Sequence, residues 1–294
     1  MHSVIRIGSR ESALAVRQAE IIRDLIQKYD PETEVRIITM KTTGDKILDK
    51  SLEKIGGKGL FVKELDRALL EGRIDLSVHS LKDMPMEINE ELPILAFGKR
   101  EDSRDVLIYR NGLKELPECP VIGTSSRRRA LQMERLYPAC TFRGIRGNVQ
   151  TRLRKLEEEG YDGTLLAAAG LKRLGMEHVA GRYLSIDEMI PAAGQGILAV
   201  QGRKGEIYDW IGQVDDPASR AAALAERQFI RVLGGGCTSP SAAHAQISGN
   251  ELKLTGLCWS EKSGQYSRGV LCADVSRAEQ AGEELAKRLL REAE

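Results

Sequence analysis

The segment LFVKELDRALLEGRIDLSVHSLKD, residues 60–83, indicates the fold class. Its first half has the apolar spacing of an amphipathic helix, predicted from Leu60 to Glu71 and stopped by Gly72. The segment from Ile74 to His79, in which apolar and polar residues alternate, follows and predicts a strand. Asp83 lies just beyond that strand. A helix that leads directly into a strand is typical of a sheet covered by helices, which predicts an α/β protein.

The same alternation extends in both directions from this segment. Upstream, strands are predicted at residues 4–7 and 35–40, around an amphipathic helix that Ser12 opens. Downstream, a second set follows, in which Asn148 caps a helix that precedes a buried strand at 164–168. The pattern therefore predicts two α/β regions in succession.

Polar residues near 98–105 mark a crossing between these regions, and the glycine-containing stretch 191–196 returns the chain to the first. Asp216 and Pro217 are a helix start signal that opens a third region. We therefore expect domain 1 at residues 1–99, domain 2 at 100–194, a return segment at 195–215 and domain 3 at 216–294.

The third region predicts a small α+β domain. Its first helix is expected to run to about Leu233, and a capping box of Ser276 and Glu279 is expected to open its last helix. Three antiparallel strands are predicted between these helices, at residues 242–247, 252–259 and 266–272.

The composition argues against several functional classes. The 294 residues are 41% apolar and 30% charged, which is a globular mixture and not that of a disordered chain. Lys plus Arg is 44 and Asp plus Glu is 43, so the net charge of +1 gives no overall attraction for nucleic acid, and 4% aromatic residues offer little base stacking. No apolar run approaches the roughly 18 residues of a membrane span, and no signal peptide is expected.

The cysteines also restrict the chemistry. The five are Cys119, Cys140, Cys237, Cys258 and Cys272, without a CxxC pair. We expect no metal site and no disulfide framework, and a reducing, cytoplasmic compartment. Cys237 differs from the others because it follows Gly234-Gly235-Gly236, where a thiol can be placed without steric hindrance and serve as a tether. The other four are expected to be small core residues.

The densest chemical signal is a basic segment between Arg127 and Lys155, called the arginine cluster below. It contains nine basic residues and one acidic residue, Glu134. Its first three arginines follow a strand and the loop Gly123–Ser126. Loop hydroxyls, amides at a helix start and guanidinium forks suit a carboxylate. The alternatives are a solvated helix face, favoured for Arg135 and Arg154, and nucleic-acid binding, which the neutral total opposes. The basic residues are Arg127, Arg128, Arg129, Arg135, Arg143, Arg146, Arg152, Arg154 and Lys155.

Two loops carry further candidates. Asp83 and its neighbour Lys82 follow a strand end, where α/β sheets bind ligands, although a lone aspartate there is also a common turn residue. His79 is expected to be structural, since no second metal ligand stands at useful spacing. Lys54 and Lys58 flank glycines in a loop that does not match a Walker A motif and that forms either a mobile lid or a surface turn.

Taken together, the motifs resemble those of the porphobilinogen deaminase family, also called hydroxymethylbilane synthase, over nearly the whole chain. They are Gly8–Ser12, Gly56–Phe61, Val78–Pro85, Gly123–Arg129, Arg146–Arg152 and Gly235–Cys237, in the order of the family. The resemblance implies two periplasmic-binding-protein-like domains flanking a cleft, with a small α+β domain that carries the cysteine loop.

The resemblance also implies the reaction and its residues. The enzyme is a transferase that joins four porphobilinogen molecules head to tail with loss of ammonia on a dipyrromethane cofactor held as a thioether, here by Cys237. It then releases the linear tetrapyrrole by hydrolysis. Asp83 matches the catalytic aspartate, and Lys54 and Lys58 match a lid loop. The residues that match groups binding the cofactor and substrate are Arg10, Ser12, Lys82, Thr124, Ser126, Arg128, Arg129, Arg146, Arg152, Arg173 and Gln195. A cytoplasmic monomer without membrane or nucleic-acid partners is implied.

Small departures and one alternative accompany this resemblance. Thr238-Ser239 stand before Pro240, where an apolar residue often precedes the proline, and Arg127 occupies a variable position. The alternative function is a non-enzymatic binding protein for a polyanionic small molecule. Asp83 and the glycine–cysteine loop argue for the enzyme, because simple binding requires neither.

Overall fold

The computed structural model describes residues 4–42, 62–235, 240–260 and 262–294. It divides the chain into two compact units. Unit 1 comprises Met1–Glu101 and Ile197–Arg220, and unit 2 comprises Asp102–Gly196 and Ala221–Glu294. The division into three domains at the residues given above stays a prediction. In the described part of the chain, no helix combines the length and apolar character needed to cross a bilayer.

Unit 1 contains a five-stranded sheet in the order β2-β1-β3-β10-β4. The strands β1, β2, β3 and β4 run parallel and β10 runs antiparallel between β3 and β4. Their bounds are β1 Val4–Arg10, β2 Glu34–Met40, β3 Leu76–Ser80, β4 Ile94–Phe97 and β10 Leu198–Gly202. The strand that returns late in the sequence thus completes a sheet begun by the first hundred residues.

Helices cover this sheet, and they pack on it through apolar residues that the helical periodicity of the sequence predicted to face inward. The first, α1 (Ala13–Tyr29), starts at Ser12, whose hydroxyl accepts a hydrogen bond from the Ala15 N–H, and it buries Ile22 and Ile26 completely. The second, α2 (Lys63–Leu70), is followed by Gly72 at φ +68°, the left-handed conformation expected of a helix-ending glycine. The predicted start of this helix, at residues 60 and 61, lies outside the described residues.

Unit 2 contains a second five-stranded sheet, in the order β7-β6-β8-β5-β9. Here too the antiparallel strand, β5, takes the fourth position. The strands are β5 Asp105–Tyr109, β6 Val121–Gly123, β7 Thr141–Arg143, β8 Gly163–Ala167 and β9 Arg182–Tyr183, and the helices are α3 Arg127–Leu136, α4 Val149–Glu158 and α5 Ala168–Arg173. The repeated pattern confirms the predicted class of two mixed α/β sheets.

The small C-terminal α+β region is also confirmed. Its sheet of β11 (Ala242–Ser248), β12 (Glu251–Ser260) and β13 (Gln265–Asp274) is antiparallel and packs against α8 (Ala278–Ala293). A short helix, α6 (Ile211–Val214), precedes α7 (Pro217–Val232). The Ser219 N–H donates to the Asp216 carboxylate at 2.7 Å, which confirms the predicted start of α7.

The predicted capping box before α8 is wrong. The Ser276 N–H, which the Glu279 side chain would accept in a capping box, donates to the Asp274 carboxylate instead, as does the Ser276 hydroxyl. Residues Val275–Arg277 instead form a 3-10 turn, and α8 begins after it without a side-chain cap.

Candidate functional site

In unit 1, the carboxyl ends of β1 and β3 form a pocket, called the strand-end pocket below. Arg10 is the last residue of β1 and Ser80 the last of β3, and these parallel neighbours end at the same edge of the sheet. Asp83 lies one 3-10 turn further on. The pocket is lined by Arg10, Ser12, Leu14, Ala15, Gln18, Val62, Val78, His79, Ser80 and Asp83.

The position of Asp83 is fixed by its neighbours. Leu81 and Met84 are buried on either side of it, and the Leu81 N–H donates to the carbonyl of Ile197 at 3.0 Å. Asp83 itself is exposed, and Lys82 is half-buried. The turn therefore presents a carboxylate to solvent from a backbone that is held at both ends.

Hydrogen-bonded polar side chains form part of the lining of the strand-end pocket. The amide of Gln18, a buried residue of α1 that the motif analysis did not single out, donates to the Ser80 hydroxyl at 2.7 Å. Ser12 lies in the same lining, where its hydroxyl also caps α1. Gln18 stands four residues after Leu14 and three after Ala15, both of which line the pocket, so the helical period places it on the same face.

His79 is a buried member of the same pocket lining. Its Nε2 is 2.8 Å from the Ser77 hydroxyl. Burial, and secondarily the charge of Arg10, lower the pKa of His79 to about 4, while Gln201 opposes the shift. A histidine with this pKa is uncharged at neutral pH, in agreement with the structural role expected for it.

In unit 2, the predicted binding residues also follow strand ends. Thr124 and Ser126 follow β6, and Ser126 caps α3 by accepting from the Arg129 N–H at 3.4 Å. The Thr124 hydroxyl accepts from the Ser126 N–H at 3.1 Å. Arg146 follows β7, and Arg173 ends the helix that follows β8. The two sheets thus carry their candidate residues at equivalent edges.

Arg128 and Arg129 converge on a carboxylate that the motif analysis did not single out. Arg128 Nη1 donates to Asp105 Oδ2 at 2.7 Å, and Arg129 donates to Asp105 Oδ1 from Nη2 at 2.7 Å and from Nε at 3.1 Å. Asp105 is fully buried, and the two arginines are 5% and 7% exposed. The triad carries one net positive charge. The sequence signal that could have identified it is an acidic residue directly before the apolar run Val106–Ile108.

Gln195 belongs to the same network. It is fully buried, and its Nε2 donates to the Ser103 carbonyl at 2.7 Å and to Asp105 Oδ1 at 3.1 Å. The segment around it is tied down as well, since the Gly194 N–H donates to the buried carboxylate of Glu226 at 2.7 Å.

Five further basic residues divide into two groups. Arg146 is half-buried and makes no ion pair or hydrogen bond with the residues that the structure describes. Arg152 Nε donates to the Gly147 carbonyl at 2.9 Å, and Arg173 Nη2 donates to the Gly196 carbonyl at 2.6 Å. By contrast, Arg154 is exposed and pairs with Glu158 one turn away, and Arg135 stacks over the Tyr266 ring.

The prediction for the cysteines other than Cys237 is only partly right. Cys258 is buried, and its burial raises the pKa of its thiol to about 11, but Cys119 and Cys272 are exposed and Cys140 is only partly buried. The expectation that all four are core residues is therefore wrong. Cys237, Lys54 and Lys58 lie outside the described residues, as does Thr238-Ser239.

The donor set of each unit, taken by itself, suits carboxylate groups. Strand-end hydroxyls occur in both units, and unit 2 adds a net positive triad and the guanidinium of Arg146, which an apolar ligand would leave without a partner among the described residues. These groups match a ligand that carries carboxylates. A dipyrromethane with acetate and propionate arms is a ligand of this kind.

Comparisons with known proteins identify relatives over nearly the whole chain. The family model "Porphobilinogen deaminase, dipyromethane cofactor binding domain" matches residues 5–208, and "Porphobilinogen deaminase, C-terminal domain" matches 221–291. A porphobilinogen deaminase of Acetivibrio thermocellus is 52% identical over 99% of both chains, and one of Ruminiclostridium josui is 52% identical over 97% of both. A substrate-binding domain of a putative amino acid ABC transporter from Streptococcus pneumoniae shows a distant likeness, with a TM-score of 0.44 at 12% identity, over 72% of this chain and 90% of that chain.

Proposed function

Because the chain belongs to the porphobilinogen deaminase family, we propose that the strand-end pocket and the arginine cluster carry out the reaction of that family. The enzyme is a transferase of porphyrin, heme and other tetrapyrrole biosynthesis. It condenses four porphobilinogen molecules head to tail with loss of ammonia, and hydrolysis frees hydroxymethylbilane. A purely binding function leaves the exposed Asp83 without a role.

The observation that carries this proposal is the exposed carboxylate of Asp83, held by buried neighbours in a pocket with Arg10 and Ser80. Loss of ammonia from a pyrrole leaves an electrophilic cation. A fixed carboxylate beside the reacting carbon stabilises that cation and accepts or returns a proton there. Asp83 is therefore the proposed catalytic residue.

The positively charged residues hold the carboxylate arms. Each pyrrole brings two carboxylates, so a growing chain requires several fixed cations, and charge-assisted bonds to them are worth roughly 1.5–3 kcal/mol each. Hydroxyls contribute neutral contacts. The proposed groups are Arg10, Ser12, Lys82, Thr124, Ser126, Arg128, Arg129, Arg146, Arg152, Arg173 and Gln195, with Lys54 and Lys58 on a lid loop.

Cys237 is the proposed attachment site of the dipyrromethane, which, when bound, supplies the carbon from which the chain grows. The three glycines that precede Cys237 in the sequence carry no side chains that could hinder a reaction at its thiol. Intact mass tests this assignment: protein produced with porphobilinogen available should exceed its sequence mass by one dipyrromethane, and Cys237→Ser should lose the excess. Cys119→Ser, which replaces an exposed cysteine of the described part of the chain, should retain it. An unmodified wild-type chain contradicts the assignment.

Porphobilinogen consumption by cofactor-loaded variants tests Asp83. Asp83→Asn keeps the shape but removes the charge, so turnover should fall by about 10²–10⁴-fold while fold and cofactor survive. Asp83→Glu should retain more activity, because it keeps a carboxylate displaced by one methylene. Glu90→Gln, an exposed acid on the same unit, is the matched control and should be neutral. Near-normal turnover of Asp83→Asn would remove Asp83 from the mechanism.

A cytoplasmic monomer without nucleic-acid partners completes the proposal, which rests here on the resemblance to the family. Light scattering of the purified, cofactor-loaded protein should give the mass of one chain. A concentration-dependent dimer contradicts the monomer.

A further inference from the structure

The two neighbouring arginines, Arg128 and Arg129, differ in how many of their guanidinium nitrogens are hydrogen-bonded. All three guanidinium nitrogens of Arg129 are engaged, Nε and Nη2 by Asp105 and Nη1 by the Leu165 carbonyl at 2.7 Å. Arg128 donates to the described residues through Nη1, which bonds Asp105 and the Ile190 carbonyl. Its Nε and Nη2 make no such bond, so this edge of Arg128 is left to meet a ligand.

The buried setting makes Asp105 necessary for this arrangement. Two guanidiniums that are almost fully buried repel each other, and burial lowers the pKa of Arg128, as the charge of Arg129 also does, whereas Asp105 raises it. Arg129 and Gln195 both hold Oδ1 of Asp105, which leaves Oδ2 to fix Nη1 of Arg128. Arg129 and Gln195 thus hold Asp105 in place, and Asp105 in turn holds Arg128.

We propose that Asp105 is a positioning residue that aims the free edge of Arg128 at a carboxylate arm of the substrate chain, with Arg129 and Gln195 acting through it. The inference rests on the proposed function. It divides the residues assigned there to binding into Arg128, which contacts the substrate chain, and Arg129 and Gln195, which position Arg128 through Asp105. Asp105 itself touches no ligand.

Asp75 in unit 1 provides a matched control. It also holds two arginines: Arg6 donates to it from Nη2 at 2.7 Å, and Arg203 from Nη2 at 3.2 Å. It precedes β3 and faces Arg6 in the first half of β1, so it lies at the opposite edge of the sheet from Ser80 and Asp83. Its loss removes a comparable ion-pair cluster without touching the strand-end pocket.

The experiment compares full-length Asp105→Asn with Asp75→Asn. Both variants should lower the melting temperature. Asp105→Asn alone should raise the KM for porphobilinogen by about 10- to 100-fold, with a smaller change in kcat. The reason is that Arg128 no longer points at the substrate carboxylate, whereas the groups that carry out the chemical step stay in place. Intact mass during incubation of the cofactor-free protein with porphobilinogen should show slower loading of Asp105→Asn by a similar factor.

An unchanged KM and loading rate in Asp105→Asn overturns the inference, as does an equal rise in Asp75→Asn. If Asp105→Asn does not fold, Asp105→Glu decides, because it retains the charge and displaces it by one methylene. A raised KM in Asp105→Glu supports positioning, and a wild-type KM overturns it. Wild-type protein that consumes no porphobilinogen overturns the proposed function and this inference together.

Discussion

At the scale of single residues, His79 shows how burial connects the pocket to stability. Unfolded, a histidine has a pKa near 6.5, and in the fold that of His79 is about 4. As pH falls below 6.5 the unfolded chain takes up the proton first, so the free energy of unfolding falls, by about 3 kcal/mol in total near pH 4. Asp66, whose pKa burial raises to about 6, acts in the opposite direction because its folded form is protonated first.

The prediction for His79 therefore concerns the difference in unfolding free energy between the wild type and a variant without this histidine. His79→Gln removes the titrating group, so the stability advantage of the wild type over this variant should shrink by about 3 kcal/mol between pH 7 and pH 4. Urea unfolding across that range measures it. A constant difference between the two proteins contradicts a buried, neutral His79.

Arg146 is expected to be the most sensitive of the half-buried arginines. It makes no bond with the described residues, so its charge is available to a carboxylate. Arg146→Gln should raise the KM for porphobilinogen by about 10- to 100-fold. Arg154→Gln, which removes an exposed pair with Glu158, should change KM little and stability by less than about 1 kcal/mol. Equal tolerance at both positions would assign the cluster to a solvated face.

The sequence indicated anion-binding arginines, but not what orients them. Arg128 and Arg129 stand out as a run after a strand and a hydroxyl-rich loop. Their partner Asp105 lies 23 and 24 residues away, on a strand whose place in the sheet depends on the whole unit. Only the folded pairing of β5 with β8 brings it beneath the arginines.

At the scale of elements, Gly282 controls the packing of α8 on α7. A Cβ at this position would lie 2.3 Å from the Ala225 carbonyl oxygen and 3.0 Å from the Phe229 nitrogen. Gly282→Ala must therefore push the helices apart, and we expect a loss of about 1–3 kcal/mol in unfolding free energy. Gly212→Ala in α6, where nothing lies within 4 Å, should be neutral or slightly stabilising. Similar urea midpoints for both variants would contradict the close crossing.

Element boundaries were predictable where the signal is local. Ser12 and Asn148 cap their helices as the sequence suggested, because each side chain needs only an N–H three residues away. The capping box at Ser276 does not form because Asp274, two residues earlier, accepts the Ser276 N–H that the Glu279 side chain would accept. Periodicity carries no information about such a competition, so the 3-10 turn could not be anticipated.

At the scale of the whole molecule, β10 makes unit 1 discontinuous in sequence. It pairs with β3 and β4, and β4 lies at the end of the described sheet with β10 as its neighbour. Leu198 and Val200 of this strand belong to the main core of unit 1. The first hundred residues therefore lack part of their own core until the chain has passed through unit 2.

This dependence predicts how fragments of the chain behave. Residues 1–101 alone should not fold cooperatively, because β3 would keep an open edge and β4 would lose its partner. The same residues joined by a long glycine–serine linker to 197–220 should fold, since the linker replaces only the path through unit 2 and costs little closure entropy. Urea unfolding followed by circular dichroism distinguishes them: a cooperative transition is expected for the joined chain and a gradual one for the shorter chain. Cooperative unfolding of residues 1–101 by themselves would show that β10 is dispensable, and the discontinuity would then have no energetic role.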